Sequence, residues 1–155
     1  MRASASSLIP LVSAFLLLTS EAFAAGPGPL ATAKRLRCTF QTGAVGTWNK
    51  DGSIDARVRT PKLILLFEQI DTDEGTAKQR NGSTLSDIVV KQTGGYLHFM
   101  QSFRSGPLYT TTVFDKETTP GKFKAVHSRH EYFTIPVPGA TSSPEQYYGE
   151  CEVKE

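Results

Sequence analysis

The densest group of side chains able to do chemistry is His127-Ser128-Arg129-His130-Glu131. Histidine exchanges a proton near neutral pH and arginine presents fixed, paired donors that stay charged, so His127 with Arg129 suits a carboxylate or another anion. On a strand, neighbouring side chains face opposite ways, which puts His127, Arg129 and Glu131 on one face and Ser128 and His130 on the other. A plainer role is open to the same residues: Arg129 pairs with an acidic neighbour, and the histidines are structural or exposed. A small hydrolase or isomerase working through His127, Arg129 and His130 is the catalytic alternative.

Other chemistries find less support. Ser128 adjoins His127 but would face away from it, and no G-x-S-x-G elbow occurs. Two histidines spaced like His127 and His130 diverge on a strand, so no metal site is read there. Asp71, Asp73 and Glu74 form an acidic turn, yet Gly75 arrives one residue early for a calcium loop. No cofactor is implied by any motif. Asn81-Gly82-Ser83 matches a glycosylation acceptor and reads equally as a tight hairpin turn.

The address is clearer than the chemistry. Arg2, the apolar Leu8–Leu18 core and Ala22-Phe23-Ala24 have the layout of a cleaved secretory signal peptide over residues 1–24. That core is shorter than the roughly 20 residues a membrane helix takes, and no later segment is longer, so no integral membrane segment is expected after cleavage. A secreted or periplasmic location follows. There, an even pair of cysteines is expected to be oxidised, and Cys38 with Cys151 allows a single disulfide joining the two ends of the domain. Oxidation also removes both sulfurs as nucleophiles.

Charge excludes one further class. The whole chain carries a net charge of +2, and removing Arg2 and Glu21 with the leader leaves it unchanged. The only basic run, Lys34-Arg35-Leu36-Arg37, adjoins a Gly/Pro-rich stretch and reads as a solvated arm, so nucleic acid is not an expected partner.

The elements that must position the His127–Glu131 group are β-strands. Residues 25–34 alternate Gly and Pro with small residues and are expected to form a flexible leader that packs no core, leaving residues 35–155 as a single β domain. Turn pairs recur at Asn81-Gly82, Gly94-Gly95, Ser105-Gly106 and Pro120-Gly121, about every dozen residues. Between them, Leu97 and Phe99 alternate with His98 and Met100, and Phe123 and Ala125 with Lys122 and Lys124, the period of a half-buried strand. Thr60–Ile70 is ambiguous: Thr60-Pro61 could open a helix, whereas the run Leu63–Phe67 suits a strand covered on both faces, the reading preferred here. Thr134–Gln146, with its prolines and small polar residues, is expected to be a long exposed loop.

The pattern predicts an all-β fold, a small antiparallel meander closed or partly open as a β-barrel of about eight strands, with a two-layer sandwich as the alternative. Gly46-Thr47-Trp48 resembles the first-strand G-x-W signature of calycins, the lipocalin and fatty-acid-binding barrel families. The resemblance covers those three residues, and Asp51-Gly52 follows closely enough to cut such a strand short. It implies a Trp48 that plugs one barrel end beneath a cavity for an apolar ligand. The functional expectation is a non-catalytic binding module for a small apolar or anionic ligand, or for another envelope protein, with His127, Arg129, His130 and Trp48 as candidate contacts.

Overall fold

Each of those turn pairs closes a hairpin, with Gly82 at φ 59° and Gly121 at φ 78°, a left-handed backbone that glycine adopts without a Cβ clash. The computed structural model describes residues 28–133 and 143–155. The expected signal peptide, the first residues of the leader and residues 134–142 of the expected loop lie outside them. Nine strands run in order: β1 (Leu36–Trp48), β2 (Ile54–Arg59), β3 (Leu63–Asp71), β4 (Thr76–Asn81), β5 (Thr84–Thr93), β6 (Tyr96–Ser102), β7 (Leu108–Thr119), β8 (Lys122–His130) and β9 (Glu145–Val153).

Strands β3 to β9 are sequential antiparallel neighbours, and β1 pairs with β3 along one edge and with β9 along the other, so the sheet closes into an eight-stranded barrel with β2 as an extra strand. Closure removes the open edges a meander would otherwise present. Cys38 and Cys151 are directly opposed in the β1–β9 register and disulfide-bonded, so the covalent link lies on the seam. Among the described residues no helix is long and apolar enough to cross a membrane.

The interior is filled by inward-facing residues from all eight strands, as expected for a barrel of this size. Phe67 stacks on Phe99 with ring centroids 4.0 Å apart, and Phe40, Leu97, Val113 and Phe123 complete the apolar body. Strand β3 settles the Thr60–Ile70 ambiguity in favour of strand, with one correction. Leu65 and Phe67 are buried while Ile64 is exposed, so the strand is covered on one face only. Thr60-Pro61-Lys62 is the break between β2 and β3, where proline supplies no ladder donor.

Two further expectations are corrected. The described part of the leader is packed rather than loose: Leu30 and Ala33 are buried in the core, and Lys34 accepts a backbone bond from Ile70 at 3.1 Å. An open barrel end leaves apolar surface to be covered, and even two small-to-medium side chains suffice to close it. Trp48 plugs nothing; it is 55% exposed and packs edge-on against Tyr132 at 5.6 Å. The cause is a bulge in β1 between Phe40 and Thr42, which adds one residue and inverts the alternation. Phe40 faces in, Gly43 faces in against Tyr147, and Trp48 therefore faces out.

Candidate functional site

The barrel has two unlike ends. The end closed by Leu30 is apolar, whereas the end where β8 stops and β9 starts holds the buried polar residues Thr111, His127, Glu131 and Glu145. The alternation that buries Phe123 and Ala125 on β8 carries His127, Arg129 and then Glu131 onto the same inner face. Strand β7 supplies Tyr109 and Thr111 beside them, and β9 supplies Glu145 and Tyr147.

His127 is the hub of this cluster and is only 2% exposed. Arg129 donates its Nε–H to His127 Nε2 at 3.3 Å, which leaves the ring proton on Nδ1, facing Thr111 Oγ1 at 2.9 Å. Burial, with the positive charge of Arg129 adding to it, pushes the imidazole down to about 3, so the ring is neutral at physiological pH. His127 is thus a poor general base here: its acceptor nitrogen is already engaged and its proton affinity is low.

Arg129 lies between two aromatic faces, 5.2 Å from the Tyr109 ring centre and 5.3 Å from that of Tyr147. The two tyrosines are themselves anchored. Tyr109 donates to Glu131 at 2.6 Å, and burial together with that bond pushes its hydroxyl up to about 12. Tyr147 donates to Glu145, which also holds Arg59 in an ion pair, and burial is the main cause that raises the Tyr147 hydroxyl. Across the mouth, Arg80 grips Glu68 with two bonds of 2.8 and 2.7 Å. Arg129 forms no ion pair with any carboxylate among the described residues.

A cavity of about 320 Å³ opens beside this group. Leu63, Leu65 and Phe103 provide apolar wall, Gln79, Gln101 and Ser86 provide neutral donors and acceptors, and Arg80, His127 and Arg129 are its ionisable groups apart from the Tyr109 phenol. Among the described residues no carboxylate lines it. The volume lies at the lower end of what small-molecule sites occupy, and a mostly apolar wall with a few fixed polar groups is their usual make-up. Among the described residues no group of three or more His, Cys, Asp or Glu is placed to hold a metal ion.

Of the residues singled out from sequence, His127 and Arg129 meet at this cavity. His130 does not: it is exposed and pairs across to Leu108 on the other face of the wall. Trp48 is also elsewhere, beyond the rim with Tyr132. Tyr109, Thr111, Arg59, Glu145 and Tyr147 were not singled out, although the period-two rule places Tyr109 and Thr111 on the inner face of β7 and Glu145 and Tyr147 on that of β9. Compared with known proteins, the chain matches no family model, no curated protein and no solved structure.

Proposed function

We propose that this protein is an exported, non-catalytic binding protein for a small organic anion, a carboxylate-bearing molecule with an apolar body, received at the polar mouth of the barrel. One observation carries the reading: a cavity wall that, among the described residues, has two arginines and no carboxylate, and in which Arg129 is held by His127 and two tyrosines but has no ion-pair partner among those residues. A cation that makes no ion pair among the described residues favours an anionic guest, and a pre-oriented guanidinium loses little entropy on receiving one. Leu63, Leu65 and Phe103 would hold the apolar body. Export is supported by the layout of residues 1–24 and by the Cys38–Cys151 disulfide, a bond that persists in oxidising compartments. The enzyme alternative loses ground because His127 is neutral and already hydrogen-bonded at its basic nitrogen.

The test is calorimetric titration and thermal shift of the disulfide-bonded protein with small apolar monocarboxylates and with the amides of the same molecules. Acids are expected to bind and their amides to fail. Arg129→Gln should weaken binding by about ten- to a hundredfold, the range of a charge-assisted hydrogen bond. Equal binding of acid and amide, or full binding by Arg129→Gln, refutes the reading.

A further inference from the structure

Strand β2 stands outside the barrel wall. It pairs with β1 from Trp48↔Ile54 to Gly43↔Arg59, and its other edge has no strand partner among the described residues. Ile54 is 71% and Val58 76% exposed, far beyond the usual state of large branched side chains on a strand. Their face also carries Ala56, together with Trp48, Gly46 and Ala44 from the paired strand. The opposite face carries Asp55 and Arg57, which touch each other at 3.9 Å, and Arg59.

The backbone of this strand has a definite polarity. Asn49 donates to Ser53 at 2.8 Å to close the hairpin, so hydrogen-bonded pairs fall at Thr47↔Asp55, Val45↔Arg57 and Gly43↔Arg59 by strict alternation. Gly46 conforms, since its N–H points the other way, to Pro144 O at 3.2 Å. Ile54, Ala56 and Val58 therefore direct their N–H and C=O groups at the open edge.

We propose that this edge is a self-association site, on which a second copy of the chain adds its own β2 antiparallel about a twofold axis at Ala56. In that register Ala56 meets Ala56 of the copy, Ile54 meets Val58, and Asp55 meets Arg57 on both sides of the axis. Every outward N–H and C=O of Ile54, Ala56 and Val58 then finds a partner, and the apolar face continues across the junction. The neighbouring registers are disfavoured. A slip of two residues one way sets Asp55 against Asp55, and the other way Arg57 against Arg57, like charges directly opposed. A slip of one residue sets outward backbone groups against groups already used within the hairpin. The segment Ile54-Asp55-Ala56-Arg57-Val58 is thus complementary to itself in one register only, which singles out a second copy over an unrelated extended peptide.

The experiment is sedimentation equilibrium of the disulfide-bonded protein from about 1 µM to about 1 mM, the span in which a short strand junction would associate. Wild-type protein should approach twice the monomer mass as concentration rises. Asp55→Arg and Arg57→Asp, exposed changes that leave the fold's melting temperature unaltered, should each weaken self-association about tenfold or more. An equimolar mixture of these two variants should associate as a heterodimer, because each Arg then faces an Asp of the other chain. Ala56→Pro removes an outward N–H and should abolish the dimer; if it also disturbs the hairpin, the charge variants still decide the matter. A monomer throughout the concentration range, association insensitive to both charge changes, or a mixture that fails to pair overturns the proposal, as does capture of a foreign extended segment in place of a second copy.

Discussion

Arg129 and His127 sit on one face of β8 and share a hydrogen bond of 3.3 Å in which the guanidinium donates and the imidazole accepts. The bond requires a neutral ring, so the geometry of the cation depends on a group that ordinarily protonates just below neutrality. Acid therefore acts on the site and on the fold through the same side chain.

His127 should make stability pH-dependent with a defined sign. Its folded value, about 3, lies below the ordinary 6.5, so the unfolded chain binds the extra proton first and stability falls as pH drops below about 6.5. The slope approaches about 1.4 kcal/mol per pH unit for one proton. Urea unfolding at a series of pH values from about 7.5 to about 4.5 should show this slope in the wild type and a flatter one in His127→Gln. Parallel slopes in the two proteins would assign the acid sensitivity to other groups.

The seam disulfide should be inert in the folded state and costly to lose. Both cysteines are fully buried and 113 residues apart in sequence, so opening the link releases nearly the whole domain's loop entropy, worth about 4 to 5 kcal/mol. The Cys38→Ala/Cys151→Ala protein should unfold at correspondingly lower urea. In the wild type, reductant should produce alkylatable thiols only as fast as the protein unfolds.

Gly149 should tolerate no side chain. A Cβ there would lie 2.0 Å from the Thr39 carbonyl oxygen and 2.8 Å from the Phe40 Cα, both backbone atoms beside the β1 bulge. Neither can rotate away, so Gly149→Ala should destabilise by about 3 kcal/mol or more, at the upper end of overpacking costs. A midpoint within error of the wild type would show that the bulge can open.

Phe99→Ala should trade stability for depth. Removing one ring of the Phe67–Phe99 stack should cost about 3 to 5 kcal/mol and leave a void below the mouth. If the mouth is a ligand site, the variant should accept longer apolar bodies than the wild type, measured with a homologous series of monocarboxylates.

Much of the barrel is legible in the sequence because its turns are punctuated by glycine and its inner face by alternating apolar residues. Phe123 and Ala125 fix the inner face of β8, and the same count reaches His127 and Arg129 without any further information. Trp48 was misplaced because one residue, the bulge at Gln41, reverses every later side chain on β1, and nothing in Thr39-Phe40-Gln41-Thr42 marks it. Strand β1 runs on to Trp48 because a local hairpin with Ile54–Arg59 holds one edge of its second half, while Glu145–Tyr147, a hundred or so residues away, reaches the other edge only on folding. Arg59, Tyr109, Glu145 and Tyr147 come from three different strands, so their convergence on Arg129 is a property of closure and not of any local motif. Leu30 looked like part of a loose tail because a lone apolar residue among prolines and glycines has no periodicity to reveal what it covers.

The ring stack of Phe67 on Phe99 has a practical corollary for chemists. It closes the barrel beneath the mouth residues Gln79, Gln101, Tyr109 and His127, so a guest longer than the space above it would leave its far end in water. If the mouth is a ligand site, a dye or resin linker hung on that far end should cost the guest almost nothing, and immobilised monocarboxylates become a direct probe of it.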